Sequence, residues 1–274
     1  MPSVLITGCS SGLGNALALQ FVQAGYPTYA TARRVETLND LATAGCYTYE
    51  LDVTDSSSIQ KVVRAIEQKH GSVGILVNNA AIGLMTPLET VPMHVVRQQY
   101  ETNVFGLLAV TQTVLPGMRK VRTGRIVNVG SSGGEFTTPA GGVYQATKYA
   151  VDSMSDAMRM ELKGFGIDVV LIEPSAISSK FASNGAVLGT DTEPYGQLMR
   201  GVDKVTSAAI KEGAPGSWSP NDVARVVKRA STTPRPRARY KVGFVGKMLI
   251  SLRNWLPLRV WDAMFISWLM REGK

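Results

Sequence analysis

Residues 3–14 of this 274-residue chain read SVLITGCSSGLG, and this stretch decides the fold class. Its first half, SVLIT, is short, apolar and rich in β-branched side chains, as is typical of a buried strand. Its second half turns through Gly8, Gly12 and Gly14, and the apolar residues of 15–23 then take helical spacing. The stretch therefore predicts a strand, a glycine-rich turn and a helix in direct succession.

The same alternation continues along the chain. Further strands are predicted at PTYATAR, CYTYELDV, VGILVNNAA, RIVNVGSS, GIDVVLIEP and RYKVG. Helices are predicted at about 54–69, 93–122, 143–165, 219–230 and 244–270. The run VGILVNNAA is continuously apolar, as expected for a strand covered by helices on both faces. The pattern predicts an α/β fold, a Rossmann-type doubly wound parallel sheet with helices on both faces, built as one domain over residues 1–274.

Residues 178–217 interrupt this rhythm because they are polar, Gly-rich and only weakly periodic. They follow the carboxyl end of a strand, which is where open α/β sheets bind substrates. We therefore predict a substrate loop that carries a helix or two. Its larger apolar side chains favour a lipophilic ligand, and they are Phe181, Val187, Leu188, Tyr195 and Met199.

The net charge of +8 is concentrated in a C-terminal extension, residues 234–274. This extension has nine Lys or Arg against two acidic residues, and the first 233 residues are nearly neutral with 20 basic and 19 acidic residues. The basic residues are mixed with Trp and Leu, which argues against a nucleic-acid groove. No run reaches the roughly 18 apolar residues of a membrane-spanning helix. Two interpretations stay open: the extension lies on a membrane surface, or it packs over the cleft or a partner subunit.

The two cysteines, Cys9 and Cys46, lack the spacing of a metal or redox site, so we expect reduced thiols and no metal. The residues before the first strand lack the charged and cleavage regions of a signal peptide. We expect a cytoplasmic protein.

A second polar stretch, SSGGEFTTPAGGVYQATK at 131–148, brings a hydroxyl, a phenol and an ammonium together. Tyr144 and Lys148 stand four residues apart and so share one helix face. A free tyrosine has a pKa of about 10 and transfers protons poorly at neutral pH. The sequence predicts that the Lys148 ammonium lowers the pKa of Tyr144 by stabilising the phenolate.

These motifs, in this order, resemble the short-chain dehydrogenase/reductase family, in its single-domain branch with TGxxxGxG and YxxxK motifs. The resemblance covers residues 3 to about 178. The matching positions are TGxxxGxG at Thr7–Gly14, an acid at Asp52 before Val53, NNAA at Asn78–Ala81 where the family usually has NNAG, Asn103 in the long helix, the serine after the fifth strand, and YxxxK at Tyr144–Lys148.

The resemblance implies a hydride-transfer enzyme with four catalytic residues. Tyr144 would protonate the carbonyl oxygen, Ser131 would hydrogen-bond that oxygen, Lys148 would also bind the nicotinamide ribose, and Asn103 would hold a proton-relay water. The family serine lies thirteen residues before its tyrosine, which selects Ser131, with Ser132 as the alternative. Asn103 has the alternative role of capping a buried carbonyl.

The resemblance also implies a nicotinamide cofactor, whose pyrophosphate would lie against the positive end of the first helix. The second strand ends in Arg33 and Arg34 with no acid before Glu36, and a 2′-phosphate needs a cation. We therefore predict NADPH/NADP+, with Arg33 as the main phosphate ligand; the alternative is two solvated arginines. The full predicted cofactor-binding set is Gly8, Ser10, Ser11, Gly12, Leu13, Gly14, Arg33, Arg34, Asp52, Val53, Asn79, Ala80, Tyr144, Lys148, Pro174 and Ile177.

One departure from the family pattern follows the sixth strand, where Pro174-Ser175 replaces the usual PG. We expect the Ile177 backbone to meet the nicotinamide amide and the Ser175 hydroxyl to lie on the pocket floor. A weaker resemblance, in TARR, RYKVG and LPLR, points to the branch acting on steroids, retinoids and acyl-dihydroxyacetone phosphate.

The sequence thus predicts an NADPH-dependent reductase of a lipophilic ketone, without a nucleic-acid partner and homo-oligomeric as the family usually is. The alternative is a non-catalytic NADP(H) sensor or scaffold on the same fold. The presence of Ser131, Tyr144 and Lys148 together disfavours that alternative.

Overall fold

Seven parallel strands form one sheet in the computed structural model, which describes residues 1–178, 193–211, 213–214 and 216–274. Their order across the sheet is β3-β2-β1-β4-β5-β6-β7, and every neighbouring pair is parallel. The strands are β1 Val4–Ile6, β2 Thr28–Ala32, β3 Tyr47–Glu50, β4 Ile75–Asn78, β5 Gly124–Val129, β6 Ile167–Pro174 and β7 Arg239–Val242.

Helices cover both faces of this sheet. The α-helices are α1 Gly12–Gln23, α2 Asn39–Thr43, α3 Ser56–His70, α4 Met93–Tyr100, α5 Leu107–Val121, α6 Gly142–Glu161, α7 Gly196–Ile210, α8 Pro220–Thr232, α9 Phe244–Trp255 and α10 Leu258–Glu272. Helices α1 and α8 pack on one face, against Val4 and Ile6 of β1. Helices α3, α5 and α6 pack on the other face, against Leu5. Alternate residues of one strand thus enter two separate apolar layers, and the predicted doubly wound sheet is confirmed.

Two helix starts follow directly from local sequence. Asp55 caps α3 by accepting a hydrogen bond from the Ser57 N–H at 2.8 Å. Ser219 and Asp222 form a reciprocal capping box ahead of Pro220, the first residue of α8.

Two predicted helices are not continuous. The helix predicted at 93–122 widens into a π-helical turn at Glu101–Gly106, between α4 and α5. The helix predicted at 244–270 breaks at Pro257, which has no backbone N–H to continue α9 and instead precedes the first turn of α10.

The C-terminal extension packs partly on the rest of the protein. Ile250 of α9 and Trp261 and Phe265 of α10 form a cluster with Phe136. Leu269 of α10 packs with Met199 of α7. Among the described helices, none combines the length and apolar character that a membrane crossing requires.

The predicted substrate loop is described only in part. Phe181, Val187 and Leu188 lie outside the described residues. Met199 is fully buried beneath α10, and the Tyr195 hydroxyl donates to Glu89.

Candidate active site

The glycine turn after β1 is folded so tightly that Gly8 and Gly14 have no room for a side chain. A Cβ atom on Gly14 would lie 2.2 Å from the Gly8 carbonyl oxygen. Gly8 has φ +73°, and a Cβ there would lie 2.8 Å from the Ala80 Cα. The turn is therefore pressed against the segment after β4, and its backbone is left open to close approach by a ligand.

Side chains of the flanking segments hold this turn in place. Asn79 donates through Nδ2 to the carbonyl oxygens of Thr7 and Gly8, at 2.9 and 3.0 Å. The Thr7 hydroxyl accepts from the N–H groups of Asn79 and Ala80, both at 3.0 Å. Thr7 belongs to the quoted TGxxxGxG motif but not to the predicted site, and these bonds give it a positioning role.

The N-terminus of α1 points its first N–H groups toward this turn. The side chain of its N-cap residue, Ser11, forms no capping hydrogen bond with a described residue. The first turn of α1 contains no acidic residue. Unpaired N–H groups and the helix dipole together favour an anion at this position. Leu13 is buried beneath the turn, while Ser10 is exposed.

Two exposed arginines, Arg33 and Arg34, follow directly on β2. Within the described part of the chain neither forms an ion pair, so both guanidinium groups are available to a phosphate. Asp52, two residues after β3, accepts from the Thr54 N–H and hydroxyl at 2.9 and 2.8 Å. Val53 is buried against Gly106 of the π-helical turn.

The segment after β6 presents the Ile177 backbone on its free side. Beyond Pro174, the chain pairs with Trp218: the Trp218 N–H donates to the Ala176 carbonyl and the Ser178 N–H donates to the Trp218 carbonyl, both at 3.0 Å. In such a parallel bridge the N–H and C=O of the central residue, Ile177, face away from the partner strand. They are thus open to a ligand amide.

The Ser175 hydroxyl, predicted to lie on the pocket floor, is buried against the turn between β7 and α9. A Cβ on Gly243 would lie 1.9 Å from Ser175 Oγ. The Ser175 N–H donates to the Val242 carbonyl at 2.9 Å, and this pairing with β7 fixes the backbone of the residue. A contact between this hydroxyl and a substrate stays a prediction.

Ser131, Tyr144 and Lys148 are brought together at the carboxyl end of β5. Ser131 forms a side-chain hydrogen bond with Tyr144, and its Oγ also accepts from the Gly133 N–H at 3.1 Å. Lys148 is only 4% exposed; its Nζ donates to the Val129 carbonyl at 2.9 Å and stands 5.7 Å from the centre of the Tyr144 ring. Ser132 faces a different neighbour, since it packs against Gly246 of α9.

Burial dominates the protonation of both titratable groups. It raises the pKa of Tyr144 to about 12, although the hydrogen bond with Ser131 opposes the rise. It also lowers the pKa of Lys148 to about 8. The predicted lowering of the Tyr144 pKa is therefore not found in this geometry, because desolvation outweighs an ammonium that is bonded to a carbonyl rather than to the phenol.

Asn103 lies in the π-helical turn and joins three segments. Its Oδ1 accepts from the Ile82 N–H and its Nδ2 donates to the Ile82 carbonyl, both at 2.8 Å. Nδ2 also donates to the Thr147 hydroxyl at 3.1 Å, next to Lys148. The capping of a backbone carbonyl, the alternative role for Asn103, is thus observed, and the same contacts place the amide beside the Tyr144–Lys148 helix.

A family model described as "short chain dehydrogenase" matches residues 2–186. The chain belongs to the short-chain dehydrogenase family. Members of this family are oxidoreductases, and the site just described carries the motifs that mark it.

Curated relatives span nearly the whole chain. An "NADPH-dependent 3-dehydrocapnine reductase" of Ornithobacterium rhinotracheale is 32% identical, over 97% of this chain and 96% of its own length. A "3-ketodihydrosphingosine reductase" of Bacteroides thetaiotaomicron is 31% identical, over 93% of each chain. The crystal structure of a short-chain dehydrogenase from Streptomyces avermitilis superposes with a TM-score of 0.84, at 29% identity, over 97% of this chain and 95% of that one.

A buried charged cluster lies behind the site of this short-chain dehydrogenase. Glu173 of β6 has a side chain only 1% exposed, and Arg239 Nη1 lies 3.6 Å from its Oε1. Burial and the neighbouring carboxyl of Glu135 raise the pKa of Glu173 to about 8. Arg239 also pairs with Asp152 and Asp156 of α6 at 2.5 Å each.

The cluster ties helix α6, which carries Tyr144 and Lys148, to β6, β7 and the turn that follows Ser131. The sequence reasoning missed it because its members are spread over more than 100 residues. The one local signal was an acidic residue inside the otherwise apolar run GIDVVLIEP.

Proposed function

We propose that this chain is an NADPH-dependent carbonyl reductase of a lipophilic ketone, working as one domain of residues 1–274. One observation carries the proposal: Ser131 is hydrogen-bonded to Tyr144, with the buried Lys148 ammonium 5.7 Å from the same ring. These three groups form a proton-donating site at the carboxyl edge of the sheet, where doubly wound folds bind ligands.

The residues of the chain fit the cofactor. The glycine turn admits a pyrophosphate against the α1 N-terminus, Arg33 and Arg34 are free to bind a 2′-phosphate, and the Ile177 backbone is open to the nicotinamide amide. When bound, the nicotinamide supplies the hydride that reduces the ketone carbon.

In this proposal Tyr144 is the general acid. Its pKa of about 12 keeps the phenol protonated at neutral pH, so a proton is available for the carbonyl oxygen as negative charge develops there. The Ser131 hydroxyl hydrogen-bonds the same oxygen. The Lys148 ammonium stabilises the phenolate that remains, and it also binds the nicotinamide ribose.

Asn103 completes the proposed catalytic set. Its contacts with Ile82 and Thr147 fix its amide at the edge of the site, where it holds a water that returns a proton through Lys148 to Tyr144.

The positive charge of the residues that follow β2 supports NADPH rather than NADH as the cofactor. Arg33 and Arg34 occupy the position where an NAD enzyme usually has an acidic residue, and neither forms an ion pair with a described residue. One relative is also named as NADPH-dependent. The substrate proposal is supported by the apolar side chains of the predicted substrate loop and by two relatives named for reducing 3-dehydro or 3-keto compounds. We further propose that the enzyme is cytoplasmic and homo-oligomeric.

The test is NADPH oxidation, followed by absorbance, with a panel of lipophilic ketones that includes 3-ketodihydrosphingosine. Tyr144→Phe removes the proton donor, so we expect turnover to fall by at least about 1,000-fold while NADPH still binds. Tyr149→Phe is the matched control, because Tyr149 lies on the same helix and is exposed, and it should retain activity.

Activity that survives in Tyr144→Phe would reject the mechanism. NADPH binding without turnover of any ketone would instead favour the sensor or scaffold.

A further inference from the structure

Helix α9 presents a continuous apolar stripe to solvent. Phe244, Met248, Leu252 and Trp255 recur at helical spacing and are 36% to 85% exposed, with Trp255 the most exposed and Phe244 next at 74%. The helix needs little of its surface for packing, since only Gly246 and Ile250 are buried. Its outer face is thus apolar where a surface helix is ordinarily polar.

Helix α10 also exposes apolar side chains to solvent. Trp261, Phe265 and Leu269 form its buried stripe, which accounts for its packing on the protein. A second stripe one residue earlier, Val260, Met264 and Trp268, is 41% to 50% exposed. Apolar contacts with the rest of the described chain therefore do not explain this second stripe, and exposed apolar surface on this scale marks an interaction site.

Basic residues accompany the apolar ones. Lys247, Arg253 and Arg259 lie within residues 244–261, which contain no Asp or Glu. None of the three has an ion-pair partner in the described parts of the chain. The surface therefore combines exposed aromatic side chains with unpaired positive charge.

We propose that α9 and α10 form a docking surface for an anionic phospholipid bilayer. An apolar helix face with tryptophans and flanking cations suits the headgroup boundary, where the aromatic rings enter the apolar edge and the cations meet lipid phosphates. A second copy of the chain fits less well, because a two-fold contact would bring the same positive patch against itself.

The docking surface adjoins the active site. Gly246 of α9 packs on the turn that follows Ser131, which we call the serine turn. A Cβ on Gly246 would lie 3.0 Å from the Ser132 Cβ. A bilayer bound at the exposed face of α9 would thus lie one helix diameter from the serine turn, close enough to supply a lipophilic substrate or take up a product. This consequence rests on the proposed function, whereas bilayer binding itself requires no turnover.

The experiment is sedimentation of the full chain with sucrose-loaded vesicles, either pure phosphatidylcholine or phosphatidylcholine with phosphatidylglycerol. We expect binding to the anionic vesicles that weakens as salt is raised. Phe244→Ser with Trp255→Ser should reduce partitioning at least tenfold. The matched control is Met160→Ser with Val121→Ser, which removes exposed apolar side chains elsewhere and should bind as the parent does.

A second pair of variants tests the charges. Neutralising Lys247, Arg253 and Arg259 to Gln should also reduce partitioning at least tenfold. Neutralising the exposed Lys61, Lys120 and Lys163 to Gln changes the net charge equally and should have a much smaller effect.

Equal partitioning of the stripe variant and its control would overturn the proposal, as would no binding to either vesicle. Concentration-dependent self-association lost in the stripe variant, without vesicle binding, would overturn it in favour of a second copy. The stripe variant should still reduce a water-soluble ketone at the parent rate if the proposed function holds. Vesicle binding without turnover would leave the docking surface standing and reject only the reductase.

Discussion

At the residue scale, the candidate site buries the charged ammonium of Lys148, and this burial lowers the stability of the folded chain. Lys148 is buried with one described hydrogen bond, to the Val129 carbonyl, and its pKa falls from 10.5 to about 8 because the ammonium is desolvated. A pKa unit corresponds to about 1.4 kcal/mol, so the buried ammonium costs a substantial part of a typical domain's stability. Such a cost is characteristic of functional groups.

Replacement of Lys148 by Met should therefore stabilise the protein while abolishing turnover. At pH 7 both folded and unfolded chains carry the proton, so the desolvation cost is fully present. The gain should be about 2 kcal/mol, after allowance for the lost bond to Val129. As the pH rises from about 8 toward 10.5 the folded state loses its proton first, and the cost disappears. Denaturant unfolding at pH 7 and pH 10 measures the difference.

The advantage of Lys148→Met should shrink from about 2 kcal/mol at pH 7 to near zero at pH 10. Lys120→Met, at an exposed lysine of α5, is the control and should change the unfolding free energy by less than about 0.5 kcal/mol at either pH. An advantage that is constant with pH would contradict the buried-ammonium account.

At the scale of elements, the turn between β7 and α9 connects the C-terminal extension to the active site. Gly243 begins this turn at φ +104°, and a Cβ there would lie 1.9 Å from Ser175 Oγ. Gly71, which ends α3 at φ +79°, also has a positive φ, although its ψ of −33° differs from the 140° of Gly243, and it has nothing within 4 Å of such a Cβ among the described residues. Gly71 therefore carries the cost of a positive φ without steric crowding, whereas Gly243 carries both.

We expect Gly71→Ala to cost about 1 kcal/mol and Gly243→Ala to cost about 3 kcal/mol or more. Gly243→Ala should also lower turnover, because α9 packs on the serine turn. Ser175→Ala, added to Gly243→Ala, removes the closest contact and should restore part of the loss. Chemical unfolding of the four proteins measures these values; equal costs at the two glycines would show that the crowding is relieved by movement of the turn.

The strands and helix starts could be predicted from the sequence more easily than the irregular turns within the helices. The seven strands and the starts of α3 and α8 follow from short-range signals, namely apolar runs and the caps at Asp55 and Ser219. The π-helical turn at Glu101–Gly106 does not, because it accommodates tertiary contacts. Gly106 meets Val53 and Asn103 binds Ile82, which are partners brought near only by the fold.

At the scale of the whole molecule, the strand order gathers residues from distant parts of the sequence at one edge. Strands β1 and β4 are neighbours, so the glycine turn meets Asn79 and Ala80. A cofactor that bridges these segments binds the folded chain and not the unfolded one, and binding therefore raises the melting temperature.

NADP+ should accordingly raise the melting temperature more than NAD+ at the same concentration. At one hundred times its Kd, NADP+ adds about 2.7 kcal/mol, or roughly 5–10 °C for a chain of this size. Arg33→Ala should weaken NADP+ binding at least tenfold and remove about half of the shift, while leaving the NAD+ shift unchanged. Differential scanning fluorimetry gives both shifts. Arg64→Ala, on the exposed side of α3, is the control, and equal shifts with the two cofactors would contradict the NADPH proposal.

The sequence by itself determined the fold class, the family and the identity of the candidate catalytic groups, because apolar periodicity and the TGxxxGxG and YxxxK spacings are local properties of the chain. Only the tertiary structure decided the environment of those groups. Burial raised the pKa of Tyr144, pairing with β7 held Ser175 against the turn before α9, and packing of α10 left the outer face of the C-terminal extension exposed. Desolvation and contact depend on what surrounds a side chain in space, and sequence spacing does not specify that.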